Sequence, residues 1–207
     1  MRIKDIKDIR FILAVPFVYR LFSNIVGQPS ARHVYINDYI RPDEGDRILD
    51  IGCGPGDILE YLSDSVTYLG IDMSQEYIDA ARKKFGRRGN FICQRLDEKV
   101  VGEMPLFDKV IAIGVLHHLE DKDALQLFKV AKLALKPGGR LITIDPVFFK
   151  GQSHLERYLV SRDRGEYVRL DDDYRQLVPD YFTNVKGIIR SGLLRMPYSL
   201  MVMECTK

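Results

Sequence analysis

Two adjacent imidazoles, His117 and His118, follow the apolar run Lys109–Ile113, and the carboxylate Asp145 ends a second such run, Arg140–Ile144. An imidazole titrates near pH 6.5, so either histidine can take a proton from a hydroxyl at neutral pH, with a nearby carboxylate to orient the ring. His117, nearer the end of its run, is the first choice as base; the competing reading makes the pair structural. Adjacent side chains diverge, so the two rings make a poor metal clamp. No metal site is expected at Asp171-Asp172-Asp173 either, which reads as a solvated helix start. Earlier in the chain, Ile48–Gly56 (ILDIGCGPG) is an apolar run that ends in Asp50 and breaks into Gly52, Gly54 and Gly56. Glycine permits a sharp turn and lets a ligand lie against the backbone. Cys53 stands in this turn as a small packing residue, since no cationic side chain neighbours it to activate a thiolate. Asp72, followed by Met73, ends a further apolar run, Thr67–Ile71.

The glycine spacing is G-x-G-x-G. A dinucleotide fingerprint would need glycine at position 57, which is Asp57, and no Lys-Ser or Lys-Thr follows to make a phosphate-cradling loop. The stretch closely resembles motif I of the class I methyltransferases that use S-adenosylmethionine. Tyr68–Ser74 (YLGIDMS) resembles their second motif, Phe107–Asp121 (FDKVIAIGVLHHLED) their fourth strand and its loop, and Leu135–Asp145 (LKPGGRLITID) the turn into their fifth strand. The similarity covers roughly residues 45–145, in order and at matching intervals.

That resemblance implies S-adenosyl-L-methionine as cofactor, held by Asp50, Gly52, Cys53, Gly54, Gly56, Asp72, Met73, Leu96 and Gly114. Asp72 would accept from both ribose hydroxyls. Met73 would offer an apolar face to adenine. Asp50 would either brace the glycine turn or receive the ammonium of the methionine moiety. The third strand departs from the pattern: many relatives place an acidic residue there, but this chain has Gln94-Arg95-Leu96. Arg95 cannot accept from the adenine amine, which leaves Asp97 or backbone groups near Leu96. His117, His118 and Asp145 resemble the acceptor-side residues of some small-molecule O-methyltransferases.

These residues need a scaffold that brings strand ends together. Apolar strands at 47–51, 67–71, 90–93, 109–113 and 140–144 alternate with amphipathic segments, which predicts a parallel sheet covered on both faces. Asn184–Arg190 and Ser199–Cys205 read as closing strands. The expected fold is a Rossmann-like, doubly wound α/β sheet of seven strands, mostly parallel, with an antiparallel last strand. At 207 residues the chain suits one domain: a helical N-terminal lid (1–45), a cofactor core (46–145), an acceptor-side insertion (146–182) and closing strands (183–207). The lid and insertion are expected to wall the cleft. Ser30 is expected to cap a helix running to about Ile40, Asp57–Ser63 to start another, and Arg162, Arg164 and Arg169 to be surface charges or to face an anionic substrate.

A formal net charge of +2 gives no electrostatic case for nucleic acid. Three cysteines without C-x-x-C spacing fit a reduced, cytoplasmic setting. Phe11–Val18 is too short to span a bilayer and is interrupted by Pro16; it reads as a helix on the domain, with contact to a membrane surface as the alternative. The expected activity is methyl transfer to a small-molecule acceptor, most simply a hydroxyl oxygen. The rival readings are a non-catalytic cofactor-binding module and a nicotinamide-dependent dehydrogenase on a similar fold.

Overall fold

Strands β1 (Arg47–Ile51), β2 (Thr67–Asp72), β3 (Asn90–Cys93), β4 (Phe107–Ile113) and β5 (Leu135–Phe148) carry those apolar runs and pair in parallel. The computed structural model describes residues 28–207; the Phe11–Val18 segment lies outside them. Two further strands, β7 (Asn184–Ser191) and β8 (Ser199–Thr206), complete a main sheet ordered β3-β2-β1-β4-β5-β8-β7. β8 runs antiparallel to both β5 and β7, as expected for the last strand. A two-residue strand, β6 (Arg169–Leu170), pairs with Val147 and Phe148 of β5 off the main path. The chain order reverses between β1 and β4, so the carboxyl ends of these strands diverge and open a crevice, where ligands bind in sheets of this kind.

Local chemistry sets the helices. Ser74 caps α2 (Gln75–Phe85) by accepting from the Tyr77 N–H at 3.3 Å, and Gly86, at φ 57°, ends it. α2 buries Ile78 and Ala81 on one face of the sheet. On the other face, the helix at Asp121–Ala134 buries Ala124, Leu127, Phe128 and Ala131. The turn expected at Lys136–Gly139 is instead an irregular start to β5, with Gly138 at φ 75° and the register against β4 shifted between Leu135 and Arg140.

The first described helix, α1 (Gln28–Val34), widens into a π-helical turn over Tyr35–Ile40, whose last carbonyls take the Arg140 guanidinium at 3.0 and 2.7 Å. Ser30 therefore lies inside α1 and does not cap it. The helix expected from Asp57 is a single 3₁₀ turn, Asp57–Tyr61.

The insertion carries a helix at His154–Val160, opened by a capping box between Ser153 and Glu156, then β6, then a helix at Asp171–Leu177. The three aspartates begin that last helix as expected, where acidic side chains complement the helix dipole. Among the described residues no cluster of side chains is suited to a metal ion, and no helix is long and apolar enough to cross a membrane.

Candidate cofactor cleft and active site

The crevice is one open cavity of about 810 Å³. Its floor is the glycine turn after β1. Gly52 (φ 71°) sits so close to Val115 that a Cβ would come within 2.7 Å of Cγ2, and a Cβ on Gly56 would meet the Phe91 ring at 2.7 Å. Nothing lies within 4 Å of a Cβ built on Gly54, whose backbone faces open space. Asp57 is buried and accepts from Lys84 Nζ at 2.6 Å and from Arg32 at 3.4 Å. The carboxylate that breaks the dinucleotide spacing thus ties α1 and α2 to the turn.

Asp72 lines the cavity at the end of β2. Its Oδ2 accepts from the Gly54 N–H at 2.9 Å and its Oδ1 from the Ser74 N–H at 2.8 Å. Each oxygen keeps a lone pair for a ligand hydroxyl. Asp50 is buried and accepts from the Tyr68 hydroxyl at 2.6 Å. Burial raises its carboxyl, the Tyr68 hydrogen bond offsets part of that, and the charge of Asp72 adds to it, bringing Asp50 to about 7. Burial also pushes the Cys53 thiol far above its ordinary range, so Cys53 is a packing residue at the cavity wall. Gly114 (φ 71°) turns the chain out of β4 and donates to Ile144 O at 2.8 Å. Met73 and Leu96 stand outside the cavity: Met73 is 73% exposed, and Leu96 packs half-buried on the core. Arg95 pairs with Asp123 at 2.8 Å, and Asp97 caps a short helix through the Val100 N–H.

At the other end of the cavity the two histidines do different things. His117 is buried, and both its ring nitrogens face carboxylates: Nδ1 lies 2.8 Å from Asp145 Oδ1, and Nε2 lies 3.2 Å from Asp163 Oδ1. Burial disfavours the charged ring, but the hydrogen bonds and charges of Asp145 and Asp163 overcome this and raise His117 to about 9. It is an imidazolium at neutral pH, with no lone pair to offer. His118 lies alongside, ring centroids 4.0 Å apart, and is exposed on the cavity wall. Burial lowers its pKa, as do the charges of His117 and Arg164, so its ring is neutral and can accept a proton.

Asp163 also accepts from the Tyr198 hydroxyl at 2.6 Å and from the Gly165 N–H at 2.8 Å. A Cβ on Gly165 would overlap the His117 ring at 2.1 Å. The segment Ser161–Gly165 is thus latched onto His117 as a strap, and the insertion walls the cleft as expected. Arg32 and Tyr35 line the opposite side from the N-terminal region.

A family model described as a methyltransferase domain matches residues 49–141, the span of the glycine turn, Asp72 and the histidine pair. Residues 49–141 are thus similar to a methyltransferase domain. An O-methyltransferase, cnsE of Penicillium expansum, is 31% identical over 134 residues, covering 60% of this chain and 46% of that protein. A ubiquinone biosynthesis O-methyltransferase of Idiomarina loihiensis is 29% identical over 101 residues, 47% of this chain and 41% of its own length. The chain spans about a quarter to a half of the length of the curated relatives it matches. Among solved structures, a methyltransferase from Archaeoglobus fulgidus superposes with a TM-score of 0.69 at 18% identity, covering 91% of this chain and 99% of that one.

Asp50, Gly52, Cys53, Gly54, Asp72, Gly114, His117 and His118 converge on one cavity. Asp145 reaches it through His117. Sequence reasoning missed Asp163, Gly165 and Tyr198, which complete the latch. The signal for them was weak: RDRG reads as a charged surface loop, and only the fold brings it over the histidines. Arg169, expected at the surface or facing substrate, is buried and does neither: its guanidinium pairs with Asp121 at 2.7 Å and donates to Leu116 O and Leu119 O, pinning β6 to the histidine loop.

Proposed function

We propose that this chain transfers a methyl group from S-adenosylmethionine to a hydroxyl oxygen of a small molecule, with His118 as the base. The observation that carries this reading is one cavity running from Asp72 and Gly54 to a neutral, exposed imidazole. Its volume lies within the roughly 300–1,000 Å³ usual for ligand sites. The O-methyltransferase names of two relatives support an oxygen acceptor.

The residues present fit the cofactor. Gly54 presents bare backbone to the cavity, Asp72 keeps acceptor capacity for ribose hydroxyls, and the buried Asp50 carboxyl suits an ammonium. Gly52 and Gly56 hold the turn open, and Gly114 shapes the far side of the cavity. Bound there, S-adenosylmethionine supplies a methyl group activated by its sulfonium. The protein aligns the acceptor, excludes water and removes the hydroxyl proton. His118 would take that proton at the ring nitrogen facing the cavity. His117, as a fixed imidazolium, and Arg164 keep His118 from protonating early. Asp145 sets the orientation of His117. The division into lid, cofactor core, insertion and closing strands belongs to the same reading.

Two binding experiments test the cofactor half. Asp72→Ala removes a charged acceptor whose hydrogen bonds are each worth about 1.5–3 kcal/mol. Affinity for S-adenosylhomocysteine, read by calorimetry, should fall about tenfold or more; unchanged affinity in a folded variant refutes the ribose assignment. The second concerns Asp50. With its carboxyl at about 7 in the free protein, pairing with the cofactor ammonium should drive it to the ionised form. Binding near pH 6.5 should therefore release most of one proton, seen as a dependence of the heat on the buffer's ionisation enthalpy. No net proton release, with Asp50→Asn behaving like wild type, would leave Asp50 as a brace for the turn.

A further inference from the structure

Among the described residues, three arginines line the cavity: Arg32, Arg162 and Arg164. Arg32 is committed to Asp57. Arg162 and Arg164 lie on the acceptor side, in the strap, and neither has a carboxylate within ion-pair distance among the described residues. Asp163 stands between them in sequence and would be the obvious counter-ion. Its carboxylate instead points inward and is used up: Oδ1 by His117 and the Gly165 N–H, Oδ2 by Tyr198. The latch therefore separates the two cations from the one anion beside them.

The backbone that carries them is also fixed. The backbone N–H groups of Ser161, Arg162 and Asp163 donate to Arg157 O, Leu159 O and Val160 O, continuing the preceding helix into the strap. Arg162 is braced across the Tyr158 ring, 5.1 Å from its centroid, which occupies one face of the guanidinium and leaves its N–H groups available. Arg164 is near enough to His118 for its charge to act on that ring. Arg162, stacked in this way on Tyr158, loses little freedom on binding. The planar forks of both guanidiniums match the oxygens of a carboxylate or a phosphate.

We propose that the methyl acceptor carries a compact anionic group, a carboxylate or a phosphate, which Arg162 and Arg164 hold so that the acceptor's hydroxyl faces His118. The proposal rests on the methyl-transfer reading and adds the substrate's charge to it.

The test uses the full chain loaded with S-adenosylhomocysteine and titrated calorimetrically with three matched phenols: 4-hydroxybenzoate and 4-hydroxyphenyl phosphate, both anionic, and the neutral 4-hydroxybenzamide. At least one charged phenol should bind about tenfold more tightly than the neutral one, with an advantage that shrinks as salt is added. The double variant Arg162→Ala/Arg164→Ala should lose that preference while keeping its affinity for S-adenosylhomocysteine, and Arg162→Lys/Arg164→Lys should retain part of it. The proposal is overturned if the charged phenols do not bind, if the neutral one binds as well, or if the double alanine variant keeps the preference. Weaker S-adenosylhomocysteine binding in the double variant would assign the two cations to the cofactor's own carboxylate and also sink the acceptor assignment. If S-adenosylhomocysteine fails to bind the wild-type protein, methyl transfer itself falls; loss of the phenol preference alone leaves it standing.

Discussion

Replacing His118 by alanine should lower turnover by about 10²–10⁴-fold, the usual contribution of a positioned general base, with cofactor affinity unchanged. The pH profile gives the sharper reading. His118 is held below its ordinary value, first by burial and then by the charges of His117 and Arg164. The ascending limb of kcat should therefore lie below about pH 6.5. If His117 were the base instead, its carboxylate partners would put that limb near pH 9. A wild-type profile still rising between pH 8 and 10, together with near-normal turnover of His118→Ala, would remove His118 from the mechanism. Loss of the low-pH limb in His118→Ala would fix it there.

Asp145→Ala should be the most destabilising change in the site. The Asp145 and His117 side chains are 1% and 7% exposed, so their pairing is shielded from solvent screening. Removing one partner of such a pair costs about 3–5 kcal/mol, which for a chain of this size lowers Tm by about 6–20 °C. The sign with pH follows from the direction of the shift. His117 is raised from its unfolded value of 6.5 to about 9 in the folded protein. Its contribution to stability is fully present below about pH 6.5 and is lost as pH rises through about 9. Thermal unfolding of the wild type should weaken over that window, and His117→Gln should flatten the dependence. A Tm that is level from pH 6 to 10 would show that the ring is not charged in the fold.

The Asp50 and Asp72 end of the cavity was legible because those residues sit at the ends of their own strands. Asp50 and Asp72 close apolar runs, and the glycines next to Asp50 can be read without knowing what lies across the sheet. Ser74 and Gly86 were equally local signals, and both cap where expected. The end at His117 and His118 was not legible because its geometry is made by residues far apart in the chain. Nothing in the HHLED segment says which ring turns inward; Asp145 and Asp163 decide that from 28 and 46 residues away. Arg169 misled for the same reason. A guanidinium in a charged segment looks solvent-exposed until the fold buries it against the Leu116 and Leu119 carbonyls.

The position of Tyr198 has a consequence for the order in which the molecule is made. β8 is the last strand in the chain but lies between β5 and β7, so it can be inserted only after the chain has passed beyond both. Tyr198, just before β8, reaches back 35 residues to Asp163. Contacts that close long loops form late, because their entropy must be spent before they bring any gain. The glycine turn, Asp50 and Asp72 need only strands already emerged by residue 113. During synthesis from the N-terminus, the glycine turn with Asp50 and Asp72 can therefore be complete while the wall that Asp163 and Tyr198 latch over His117 is still open.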